Sequence, residues 1–201
     1  MGIAARIAAA VAALVVAGAV AAETPTLRIA AQASGTVAWE LETIKRNGFD
    51  ATEGFALEVM DVAGAPAAQV AFQGGEADAI VSDWIWVARQ RAAGEDYVFV
   101  PYSKAVGGLM VPGDSPARSL PDLAGGKIGV AGGPLDKSWL LLRAYAAKEY
   151  GFDLAGETEA VFGAPPLIFE AAKSGEFAGA INFWHFLAKM EAAGMRELIS
   201  V

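Results

Sequence analysis

The residues of this chain that could do chemistry are few, and they cluster at turns that open helices. The sequence has no cysteine and a single histidine, His185. Disulfides, thiolate ligands and a cysteine nucleophile are thereby excluded, and one histidine does not make a typical transition-metal site. No Ser-His-Asp set and no paired acid/base motif stands above background, so an enzyme is not expected, nor a cofactor. What remains suits non-covalent recognition. Ser34-Gly35-Thr36 can touch a ligand with hydroxyls and amides, or simply cap a helix. Ala131-Gly132-Gly133-Pro134 can bring backbone close to a ligand or merely turn the chain, and it lacks the GK[ST] ending of a P-loop. Trp84 and Trp184 can grip a planar ligand from two sides or pack at an interface, and Trp39 is a third candidate ring. Ala65, Ser82 and Asn182 occupy similar turns. Asp83 reads as a helix cap or as the counter-ion of a cationic ligand. Lys137 reads as a partner for an anion or as a solvated helix start. His185 reads as structural, Asp78 as a strand-end residue bonded to backbone, and Trp86 and Trp139 as core.

These residues need elements to hold them. Apolar runs and alternation predict strands over 26–31, 55–62, 77–81 and 97–101, with helices over 37–46, 64–72 and 84–93 between them. Ser34 or Thr36 is expected to cap the first helix. After a crossover at 103–106, strands are expected over 108–111, 127–130, 159–162, 178–181 and 198–201. Helices are expected over 136–150, 166–173 and 183–193, with a helical turn at 120–123. This order predicts open, largely parallel α/β sheets with flanking helices. In such sheets ligands sit at the carboxyl ends of strands. That rule selects the turns at 32–36, 63–66, 82–84 and 131–138, and the pair 162–165 with 182–184. Amide groups at helix starts favour anions or polar oxygens.

Two stretches are near copies. Residues 75–94 read GEADAIVSDWIWVARQRAAG and residues 175–194 read GEFAGAINFWHFLAKMEAAG, with seven of the twenty positions identical. Gly64-Ala65-Pro66 has an echo in Gly163-Ala164-Pro165. One repeat at this spacing predicts two similar lobes, 23–104 and 105–201, with a ligand cleft between them. Trp84 and Trp184 then occupy equivalent strand-to-helix junctions. The second copy has Ala178-Gly179 where the first has Asp78-Ala79.

Residues 1–22 carry Arg6, an apolar run over 7–20 and the small residues Ala21-Ala22, the pattern of a cleavable secretory signal. The run is shorter than the ~20 residues that span a bilayer. A periplasmic location is expected. The formal net charge of −8 argues against nucleic acid as a partner.

The segment from Gly64-Ala65-Pro66 to Gly75-Glu76-Ala77-Asp78-Ala79 and the segment Ser119-Leu120-Pro121-Asp122-Leu123-Ala124-Gly125-Gly126-Lys127-Ile128-Gly129-Val130 carry a family resemblance. With them the chain resembles the periplasmic solute-binding proteins of ABC importers, of the nitrate/sulfonate/taurine (SsuA-like, NitT/TauT) type. The resemblance implies a two-lobed periplasmic-binding-protein-like fold of type II. It implies a monomer that captures a small organic or oxyanionic ligand and delivers it to the membrane permease. Such proteins are usually longer and cross back into the first lobe, so that C-terminal part is expected to be missing or reduced. Two other functions remain open: a periplasmic accessory protein that kept the fold without a ligand, and an enzyme resembling those of pyrimidine synthesis.

Overall fold

Strand β1 (Thr26–Gln32) is flanked on both sides by parallel partners, β2 (Ala56–Val62) and β3 (Ala79–Ile80), in the order β2-β1-β3. The structure is a computed structural model that describes residues 23–201, and the signal peptide expected over 1–22 lies outside them. β1 alternates its burial between two faces, as a strand covered on both sides must. Ala30 packs with Ala68 and Ala77, while Ala31 packs with Leu41 and Leu57. Leu41 comes from helix α1 (Thr36–Asn47) and Ala68 from helix α3 (Ala65–Gln73), while Leu57 belongs to β2 and Ala77 precedes β3. A short helix, α2 (Phe49–Thr52), follows α1, and α4 (Trp84–Ala92) follows β3.

Asp78 ties β3 to β1. Its carboxylate accepts the Arg28 backbone N–H at 2.9 Å and the guanidinium at 3.0 and 2.6 Å. These bonds hold the Asp78 carboxyl down at about 2. The backbone bond expected for Asp78 is present, and the ion pair with Arg28 adds to it.

The second sheet has the order β6-β5-β7-β4-β8. Its parallel part is β5 (Lys127–Ala131), β6 (Glu159–Gly163) and β7 (Gly179–Phe183). β4 (Gly107–Pro112) runs antiparallel to β7 and to β8 (Met195–Ser200). A 3-10 turn (Leu120–Leu123) precedes β5, and the helices are α5 (Lys137–Tyr150), α6 (Pro165–Lys173) and α7 (Trp184–Ala192). One face of β5 sends Ile128 and Val130 into a core with Leu109, Val111, Trp139 and Leu142. On the other face Gly129 lies so close to Phe177 that a methyl group would come within 2.5 Å of the ring.

The repeat is legible in three dimensions. α3 and α6 start and stop 100 residues apart to the residue, and so do α4 and α7. Asp78 N–H bonds to the Arg28 carbonyl at 2.8 Å, and Ala178 N–H makes the matching bond to the Lys127 carbonyl at 2.9 Å. At 178 the side chain sits against Gly126, which leaves little room for the carboxylate that the first copy carries.

Three expectations need correction. The cap of α1 is Gly35, not Ser34 or Thr36, because the extended backbone of Gly35 and not a side chain begins the helix. Helix α2 was not anticipated. The segment 97–101 is not a strand. Tyr97 stacks on Trp86 at 5.8 Å and meets Phe72 edge-on at 4.8 Å, while Val98 is 85% exposed. β-branched residues make a strand only where a neighbouring strand accepts their hydrogen bonds, and no strand pairs with this segment.

Replacing Gly129 with alanine should therefore destabilise the protein by about 1–3 kcal/mol through overpacking against Phe177. Chemical denaturation checks this, and an unchanged midpoint would contradict the close approach.

Candidate functional site

The turns that follow β1, β2 and β3 meet those that follow β5 and β7. His185, in the first turn of α7, reaches across with Nε2 3.0 Å from the Ser34 carbonyl. A carbonyl only accepts, so Nε2 carries the hydrogen and donates it. The edge of Trp39 meets the same ring at 5.9 Å between centroids. Trp184 and Phe186 lie against it from its own helix. His185 is 7% exposed, and burial holds its pKa below the usual value. Pro66 also comes near Gly133: a methyl group added there would lie 3.8 Å from Pro66 Cγ.

Two aspartates cap helices that start at these turns. Asp83 caps α4, its Oδ1 accepting the Trp86 N–H at 2.9 Å. Asp136 caps α5, its Oδ1 accepting the N–H groups of Ser138 at 2.9 Å and Trp139 at 3.2 Å. Gly132, at φ +113°, wraps the chain around the Asp136 side chain. Burial pushes the Asp136 carboxyl up to about 6. The capping bonds and Lys137 oppose that rise, and the negative charge of Asp83 adds to it.

The sequence candidates divide accordingly. Ser34, Gly35 and Trp39 join Trp184 around His185, with Thr36 opening α1 beside them. Gly132 and Gly133 stand with Asp136, near the turn of Ala65 and Pro66. Asp83 is the cap it was expected to be. Trp84 is 56% exposed and touches no other ring among the described residues. Trp184 does not meet it. It lines a concavity of about 440 Å³ with Lys104, Val106, Leu187 and Glu191, beside β4. A further concavity of about 520 Å³, lined by Pro112, Asp114 and Asp122, is built from other loops.

Asn182 is corrected: it is 1% exposed and directs its amide to the Pro165 carbonyl at 3.0 Å and the Phe183 N–H at 2.9 Å. Both bonds hold the turns at Pro165 and Phe183 in place, and burial keeps the side chain from solvent. Trp86 and Trp139 are core, as expected. Two residues outside the expected contact set belong here. His185 was legible only as a lone histidine beside Trp184. Asp136 was legible as a helix-opening residue before Lys137-Ser138, but its burial by the neighbouring turns was not.

No protein-family model matches this chain, and no curated protein matches it. Solved structures do. The alkanesulfonate-binding protein SsuA from Xanthomonas axonopodis pv. citri, bound to MOPS, superposes with a TM-score of 0.70 at 23% identity, over 89% of this chain and 62% of that one. The periplasmic aliphatic sulphonate binding protein SsuA from Escherichia coli gives 0.65 at 20% identity, over 88% and 60%. An ancestral arginine-binding protein bound to glutamine gives 0.61 at 19%, over 89% and 80%. The fold is therefore the α/β fold of periplasmic binding proteins. The chain spans about 60% of the length of the SsuA structures it matches.

The Asp136→Asn variant tests the buried carboxylate, because asparagine keeps the cap and removes the charge. The native carboxyl titrates near 6 against an unperturbed 3.8, so folding favours the protonated form. That contribution is fully present below about pH 4 and is lost as pH rises through 6. At pH 8 the variant should be more stable than the parent by on the order of 1–3 kcal/mol, the gap closing towards pH 4. Thermal unfolding across that range decides it, and a variant no more stable at pH 8 would count against the burial.

Proposed function

We propose that this protein is the solute-binding component of an ABC-type import system. A cleavable signal over residues 1–22 exports it to the periplasm. There it works as a monomer with two lobes, 23–104 and 105–201, and catalyses no reaction. It captures a small organic ligand in the cleft between the lobes and presents it to the membrane permease. The observation that carries this reading is the bond from His185 to the Ser34 carbonyl. It joins the two halves of the fold at the carboxyl ends of their parallel strands, where ligands bind in sheets of this kind. The likeness to sulfonate- and amino-acid-binding proteins supports it. No helix among the described residues is long and apolar enough to cross a membrane.

A ligand that touches both lobes shifts the open–closed equilibrium by its differential contacts. At about 100 times its Kd it should stabilise the protein by ~2.7 kcal/mol. Thermal-shift screening against sulfonates, amino acids, amines and heteroaromatics, followed by small-angle scattering with each hit, should give a raised Tm and a smaller radius of gyration. A broad panel that yields neither would overturn this function.

A further inference from the structure

Among the described residues, the side-chain polar atoms buried without a hydrogen-bond partner are Ser82 Oγ and His185 Nδ1. Buried polar groups are as a rule paired, so each exception calls for a reason. A serine hydroxyl stays neutral, whereas an imidazole takes a proton close to neutral pH. The unpaired His185 nitrogen therefore has two states of different cost. Its place in the fold makes that difference matter. The other nitrogen, Nε2, donates to the Ser34 carbonyl across 151 residues of sequence. One ring thus fastens the turn between β1 and α1 to the start of α7.

Protonation leaves the Nε2 bond as it is and puts a hydrogen on Nδ1. That new N–H has no acceptor among the described residues, and the ring is 7% exposed. A buried charge without a partner is costly. The surroundings do not offset it. On the α1 side stand the Ser34 carbonyl, which Nε2 already uses, and the Trp39 ring. Glu40, next to Trp39, accepts the Tyr102 hydroxyl. On the α7 side stand Trp184, Phe186 and the positively charged Lys189, whose ammonium lies 4.7 Å from the centre of the Phe186 ring. Burial lowers the His185 pKa from its usual 6.5, with Lys189 adding to the effect and the Ser34 bond opposing it.

We infer that His185 is a proton-operated latch between the two halves of the fold. With the ring neutral, its bond to Ser34 holds the turns together. When Nδ1 gains a proton, the ring relieves its buried charge by moving into water, which breaks the bond and parts the seam. Above pH 6.5 the ring is neutral in either position and the latch holds. Below 6.5 the latch weakens, because a ring in water binds a proton that the buried ring resists. Asp136, which titrates at about 6, acts in the opposite sense, since its burial favours the protonated carboxyl. The inference rests on the two-lobed reading proposed above and on no particular ligand.

His185 is the sole histidine of the chain, so untagged protein carrying isotopically labelled histidine gives one ring to follow by nitrogen NMR. At pH 8 the spectrum should show hydrogen on Nε2 and none on Nδ1, and the ring should titrate below 6.5. Small-angle scattering without ligand should give a larger radius of gyration at pH 5 than at pH 8, with the far-ultraviolet circular dichroism unchanged. An Asp136→Asn background removes the opposing titration. In that background His185→Gln, whose amide can still donate to Ser34 but does not titrate, should abolish the expansion. Hydrogen on Nδ1 at pH 8, or a ring that titrates at or above 6.5, overturns the latch, and this arm needs no variant to fold. So does a radius that ignores pH, an expansion that comes only with loss of the far-ultraviolet signal, or one that persists in His185→Gln. All of these leave solute binding standing, because the ligand panel at fixed pH tests it separately.

Discussion

Parallel strands cannot be joined by a tight turn, and that constraint organises this molecule. Each parallel strand must be followed by a crossover, so every strand-to-helix turn of a sheet falls on the same edge. The turns after β1, β2 and β3 share one edge of the first sheet, and those after β5, β6 and β7 share one edge of the second. Bringing the two edges together juxtaposes residues distant in sequence, such as Ser34 and His185, 151 positions apart. Nothing in the local sequence of either residue demands this contact.

Where the edges meet, the accounting of hydrogen bonds matters more than the count of helix ends. A helix start attracts anions only while its amides are free. Here aspartates cap α4 and α5, and prolines open α6. Asn182 is drawn inward to hold the Pro165 and Phe183 backbones in place. α1, α3 and α7 instead open without a side-chain cap, so the helix starts at these turns differ in the donors they leave free. The fold resembles that of sulfonate-binding proteins, but chemistry at a site outweighs fold in deciding a ligand.

Much of the architecture was legible in the sequence because it is periodic and punctuated. The copied GE…AAG stretches mark helices α4 and α7, which coincide at a separation of 100 residues. Asp83 was legible as a cap because an Asp before an apolar helical run has a local mechanism. What was not legible depends on neighbours remote in sequence. Val98-Phe99-Val100 has the composition of a strand, but a strand exists only when another strand pairs with it. Asn182 has the composition of a ligand contact, but tertiary packing buries it. The rise in the Asp136 pKa comes from turns that fold over it, with Asp83 adding its charge from the other half of the chain. A lone histidine gives no sign of which carbonyl it will meet.

The contacts across the seam are also revealing in their modesty. Among the described residues they include one hydrogen bond from His185, the ring contact of Trp39 and the approach of Pro66 to Gly133. A typical hydrogen bond contributes about 0.5–1.5 kcal/mol net, and an aromatic edge contact a similar amount. Against them stand two carboxylates that repel each other, one of them largely buried.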